Sequence, residues 1–161
     1  RHTDGGGMKV FLADEQDDPL QPEPLIELAE SVMKAERLPD DTEVAITLVS
    51  TVEMAALNGR YLRREGPTDV LALPIEDLRP GEPPEVDPCG PPLNLGDVII
   101  CPGVVAGNAD AAGVGFDDEL ALMVVHGILH LLGYDHIEDD EAEQMEARER
   151  TLLAAVGRTR P

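Results

Sequence analysis

At 161 residues the chain is long enough for one domain with its own core and short for two. With 33 acidic residues against 12 Lys and Arg, its formal charge of −21 repels polyanions at long range, which argues against a general nucleic-acid coat protein and requires any nucleic acid to be held locally. Two cysteines and no apolar leader point to a reducing, cytoplasmic setting, and the longest apolar run, Leu120 to Leu132, is too short to span a bilayer and contains two histidines.

Residues 1–7, RHTDGGG, show no hydrophobic pattern and read as an appended tail, so a single domain is expected over 8–161, with Met8 as its natural start. MKVFLAD alternates as a strand does. EPLIELAESVMKAERL sets Leu25, Leu28, Ala29, Val32, Met33 and Ala35 along one side of a helix that stops before Pro39. TEVAITLVS, with Val44, Ile46 and Leu48 in alternation, predicts a second strand. Ser50 or Thr51 is placed to cap a helix through VEMAALNGRYL, and TDVLALPI predicts a third strand closed by Pro74. Prolines 80, 83, 84, 88, 91 and 92 then mark an excursion within the domain. LGDVIICP, nearly all apolar, predicts a fourth strand inside a sheet. Three helices follow, from Pro102 to about Ala112, from Asp117 to about Leu132 and from Asp139 to about Ala155, with Asp140 and Glu143 as a capping pair in the last. The sum is an α+β domain with four strands and about five helices. LALMVVHGILHLL is apolar around most of its circumference and belongs in the core.

Two histidines on such a helix need a reason. His126 and His130 are four apart, so their imidazoles stand one turn above the other on one face. Gly133 can end the helix in the left-handed conformation and let the chain return His136 to the same point. The spacing HxxxHxxGxxH is that of a zincin-like metal helix, and a shell of neutral nitrogens suits one zinc ion per chain. Three ligands leave a fourth position open, as in a catalytic site; Cys89 or Cys101 could close it in a structural one. Gly127 stands where zinc peptidases carry the glutamate that takes a proton from water, so peptidase chemistry needs a substitute base. An all-imidazole shell leaves the metal its full positive charge, which favours an anionic oxygen such as that of a phosphodiester. On this reading Gly127 keeps the space beside the metal open to such a substrate.

HGILHLLGYDHIEDDEAEQMEARE, with LNGRYLRREGPTDVLALP and LGDVIIC upstream, resembles the YbeY family of bacterial endoribonucleases and rRNA maturation factors, whose signature is HGxLHLxGYDH. The resemblance covers most of residues 54 to 150. It implies a mixed four-stranded sheet, zinc at His126, His130 and His136, and metal-dependent cleavage of single-stranded RNA rather than DNA. It also implies work with ribosomal proteins on small-subunit rRNA, at its 3′ end and in ribosome quality control. The family often places an arginine after the aromatic of the LN stretch, whereas here Tyr61 is followed by Leu62; Arg60, Arg63 or Arg64 is expected to neutralise phosphate charge in its stead, Arg60 and Arg63 being the catalytic candidates. Asp69, Asp97 and Asp135 are candidates to orient a ligating histidine, against the plainer role of turn or strand-start hydrogen bonding. Tyr134 is expected to pack. Two other readings share these residues: a zinc peptidase with another base, and a non-catalytic assembly factor in which zinc serves the fold alone.

Overall fold

The computed structural model of the chain describes residues 8–62, 66, 68–82 and 84–161. There the alternating stretches are strands and the stretches of three-to-four spacing are helices. They run β1 (Lys9–Asp14), α1 (Pro22–Ala35), β2 (Glu43–Leu48), α2 (Thr51–Leu62), β3 (Val70–Pro74), β4 (Asn94–Ile100), α3 (Pro102–Ala112), α4 (Phe116–Leu131) and α5 (Asp139–Ala154). The sheet order is β1-β2-β4-β3, with β1, β2 and β4 parallel and β3 antiparallel to β4. This is the mixed sheet expected, and the most apolar strand, β4, is indeed interior.

Strand alternation divides the apolar residues between two faces. Val10, Leu12, Val44, Ile46, Leu48, Val98 and Ile100 face a large core with α1, α4 and α5, while Leu71, Ile99 and Cys101 join Met54 of α2 in a smaller cluster. Ser50, one of the two capping candidates, accepts the Glu53 N–H at 3.2 Å and opens α2. At α5 the capping pair differs from that expected. Glu138 N–H donates to the Glu141 carboxylate at 3.3 Å, so the box sits two residues earlier than Asp140 and Glu143.

α4 lies across the sheet and buries Leu120 through Val125, Gly127, Ile128, Leu129 and Leu131. Full burial of each large apolar side chain contributes about 1.5–3 kcal/mol, which is why this helix is the spine of the core. Gly127 faces the sheet. A Cβ built there would stand 2.5 Å from Cγ1 of Val98 and 3.3 Å from Cγ2 of Val70. The glycine therefore lets α4 approach β3 and β4 closely, which corrects the expectation that it keeps space open beside a metal. α5 packs beside α4 and is tied to α1 by Arg148 Nε, which donates to Glu36 Oε1 at 2.7 Å.

The proline-marked excursion has no helix or strand among its described residues. It is still fixed at one point, because Leu78 packs on the main core and the Leu78–Arg79 backbone closes on Gly133. Gly133 has φ +98°, and a Cβ would collide with the Leu78 carbonyl, so glycine is required there twice over.

Candidate metal centre

α4 ends where Gly133 N–H bonds to the His130 carbonyl at 3.1 Å and Tyr134 N–H to the Leu129 carbonyl at 3.0 Å. Tyr134 is buried in the core, as its expected packing role requires, and burial raises its hydroxyl pKa, with the Glu36 charge adding and Arg148 opposing. The chain then reverses, Asp135 Oδ1 accepts the His136 N–H at 2.8 Å, and the third imidazole comes back to the first two.

The three rings form one cluster. Ring centroids are 4.6 Å apart for His126 and His130, 5.4 Å for His126 and His136, and 5.0 Å for His130 and His136. One nitrogen from each lies within 4.8 Å of the others, so the triad could hold a metal ion. The Nε2 atoms of His126 and His130 are 3.1 Å apart, close to the roughly 3.4 Å of two nitrogens about 2.0–2.1 Å from a tetrahedral zinc. Burial, with the neighbouring His126 and His136, lowers the His130 pKa from the ordinary 6.5, against a backbone hydrogen bond to Tyr134 and the Asp135 charge. Its imidazole is thus held neutral, the form a metal needs.

A carboxylate that meets the triad comes from elsewhere in the chain. Glu149 of α5, 1% exposed, accepts from His126 Nδ1 at 2.7 Å through Oε2 and from Arg160 Nε at 2.9 Å through Oε1. A proton on His126 Nδ1 leaves its Nε2 as the lone-pair nitrogen facing His130, the tautomer a carboxylate partner selects. Burial pushes the Glu149 carboxyl up, but the bonds from His126 and Arg160 outweigh this and hold it below the usual carboxylate range. The sequence reading passed over Glu149. A signal was present, since it shares the buried side of α5 with Met145, Leu152 and Leu153, an acid inside an apolar stripe. Beside the triad an open cavity of ≈ 390 Å³ is lined by His126, His136, Ala142, Met145, Glu146, Glu149 and Arg160.

The other candidates lie apart from this cluster or beside it. Asp69 opens β3: its carboxylate accepts the Val70 N–H at 2.8 Å and Asn108 Nδ2 at 3.4 Å. Asp97 alternates with Val98 on β4 and so lies on the sheet face away from α4. Asp135 bonds the backbone of His136, next to the cluster. Cys101 is buried in the smaller core and Cys89 is exposed on the excursion; neither joins the triad. Arg60 is exposed in the last turn of α2, and Arg63 and Arg64 lie outside the described residues. Among the described residues no helix is long and apolar enough to cross a membrane.

Comparison with known proteins agrees with the geometry. A family model described as Endoribonuclease YbeY matches residues 12–157. Proteins named Endoribonuclease YbeY from Acidothermus cellulolyticus and Thermobifida fusca are 44% and 42% identical, the matches covering 92% and 94% of this chain and 91% and 96% of those relatives. The solution structure of TM1509 from Thermotoga maritima superposes with a TM-score of 0.58 at 30% identity, over 91% of each chain.

Proposed function

The chain belongs to the YbeY endoribonuclease family, and from that premise we propose that it is a metal-dependent endoribonuclease with one zinc ion held by His126, His130 and His136. Its substrate is single-stranded RNA. Its place is the cytoplasm, where it acts with ribosomal proteins on small-subunit rRNA, at the 3′ end and in ribosome quality control. The observation that carries the reading is the convergence of three imidazoles beside an open cavity, with the Nδ1 of His126 engaged by a buried carboxylate.

When bound, zinc supplies a concentrated positive charge that polarises a phosphodiester oxygen. The rest falls to side chains. Glu149 holds the His126 tautomer, and the Gly133 turn with Asp135 brings in His136. Arg60, Arg63 and Arg64 neutralise phosphate charge on a chain whose net charge of −21 otherwise repels RNA. With Gly127 turned into the sheet, no carboxylate stands at the position of the peptidase base, which favours phosphodiester over peptide hydrolysis.

Purified protein loaded with zinc is expected to carry about one ion per chain and to cut single-stranded RNA but not DNA. Chelator-stripped protein is expected to lose that cleavage and regain it with zinc. Alanine at Arg60, Arg63 and Arg64 together should weaken cleavage while zinc content and melting temperature hold, and binding should fall with salt on a shallow slope because few bases contact phosphate. Stoichiometric zinc without RNA cleavage would instead support the assembly-factor reading.

A further inference from the structure

Both oxygens of Glu149 are engaged, one by the His126 imidazole and the other by a residue that nothing in the sequence pattern singles out. Arg160 lies on the segment after α5, beyond residue 157 where the family match ends. That segment is held at alternate residues. Arg158 NH1 reaches Asp118 Oδ1 near the start of α4 at 2.8 Å, and Arg160 Nε reaches Glu149 Oε1 at 2.9 Å. The Arg160 guanidinium also stands 4.0 Å from Glu146 Oε1 and lines the cavity next to His126 and His136.

A carboxylate buried as deeply as Glu149 costs several kcal/mol in lost hydration unless partners return it, and the His126 N–H returns one bond to one oxygen. The terminal torsion of a glutamate is broad, so that single bond does not fix the carboxylate plane. Arginine supplies a permanent charge and a planar, directed N–H, which lysine does not.

We propose that Arg160 is a positioning residue of the metal centre: by holding Glu149 Oε1 it keeps Oε2 on His126 Nδ1 and the His126 Nε2 lone pair aimed where the three imidazoles converge. The proposal rests on the reading of the triad as a metal site. It also makes the segment beyond the family match a working part of that site.

The test is zinc affinity of the full chain, measured by competition with a chromophoric chelator, in Arg160→Ala, Arg160→Lys, Glu149→Gln and the Arg160→Ala/Glu149→Gln double variant. Loss of an orienting partner typically weakens a metal site about 10–100-fold, and Arg160→Ala is expected near the lower end of that range, with Arg160→Lys between it and the parent. Because Arg160 acts through Glu149, its removal should add little in the Glu149→Gln background. In metal-free protein, nitrogen NMR should show the His126 Nδ1–H tautomer in the parent and a mixture of tautomers in Arg160→Ala. Zinc affinity at the parent level in Arg160→Ala, full additivity in the double variant, or an unaltered tautomer would overturn the proposal. If Arg160→Ala does not fold, Arg160→Lys carries the same comparison. A parent that binds no zinc at all would overturn the metal reading, a result distinct from a parent that binds zinc and an arginine that does not matter to it.

Discussion

Replacing His130 by alanine is expected to strip the protein of its metal and to reduce RNA cleavage to background. His130 is the middle member of the triad, one helical turn from His126, with Nε2 3.1 Å from that of its neighbour and its ring 5.0 Å from that of His136. Without it, two imidazoles remain, one of them exposed, and two monodentate nitrogens fall one short of the three protein ligands of a catalytic zinc site. The effect should exceed the about 10–100-fold loss expected for an orienting residue such as Glu149. The fold should persist, because alanine is a better helix former than histidine and the site is only half-buried. Elemental analysis after dialysis, with melting temperature as control, checks this; a variant that keeps one zinc per chain sinks the site. The parent should show a matching pH dependence. His130 has a folded pKa below the ordinary 6.5, so its proton competes with the metal at lower pH than that of a free imidazole. In metal-free protein the same depression gives stability that is present above about 6.5 and is lost as pH falls through the lowered folded value.

Gly127→Glu is expected to abolish folding, and Gly127→Ala to lower the melting temperature by several degrees without touching the metal ligands. Helix propensity favours alanine over glycine by about 0.8–1.0 kcal/mol. Against that, the new Cβ meets a β-branched side chain on an interior strand at 2.5 Å, and Val98 has little rotamer freedom with which to yield. Overpacking of this kind costs about 1–3 kcal/mol, enough to leave a net loss, and each kcal/mol lowers the midpoint of a chain this size by about 2–4 °C. A glutamate adds an unpaired carboxylate among Val70, Val98 and the core face of α4, a penalty comparable with the whole stability of roughly 5–15 kcal/mol. Any loss of RNA cleavage in the glutamate variant then follows from unfolding rather than from charge beside the metal. A folded, zinc-loaded Gly127→Glu protein with parental melting behaviour would place the residue beside the metal after all.

The nine elements among the described residues were legible because they rest on local patterns: a period of two in KVFLAD and EVAITL, three-to-four spacing in PEPLIELAESVMKA, and breaks at Pro39 and Pro74. The triad was legible for the same reason. His126 and His130 are one turn apart on any helix, and a left-handed glycine followed by a short turn is a local device for bringing His136 back. These properties belong to the backbone within about ten residues, and the sequence by itself determined them. What the tertiary structure decided concerns which elements meet. Asp69 and Asp97 were as good candidates for orienting a histidine as any acid, but Asp69 accepts from the Val70 N–H and Asn108, Asp97 lies on the face of β4 away from α4, and the docking of α5 on α4 brings Glu149 to His126 across 23 residues of sequence. Arg160 reaches Glu149 because the segment after α5 folds back beside that helix. Gly127 turned out to serve helix-to-sheet approach because the distance between α4 and β4 is set by all the side chains between them, a collective packing result that no single stretch of residues encodes.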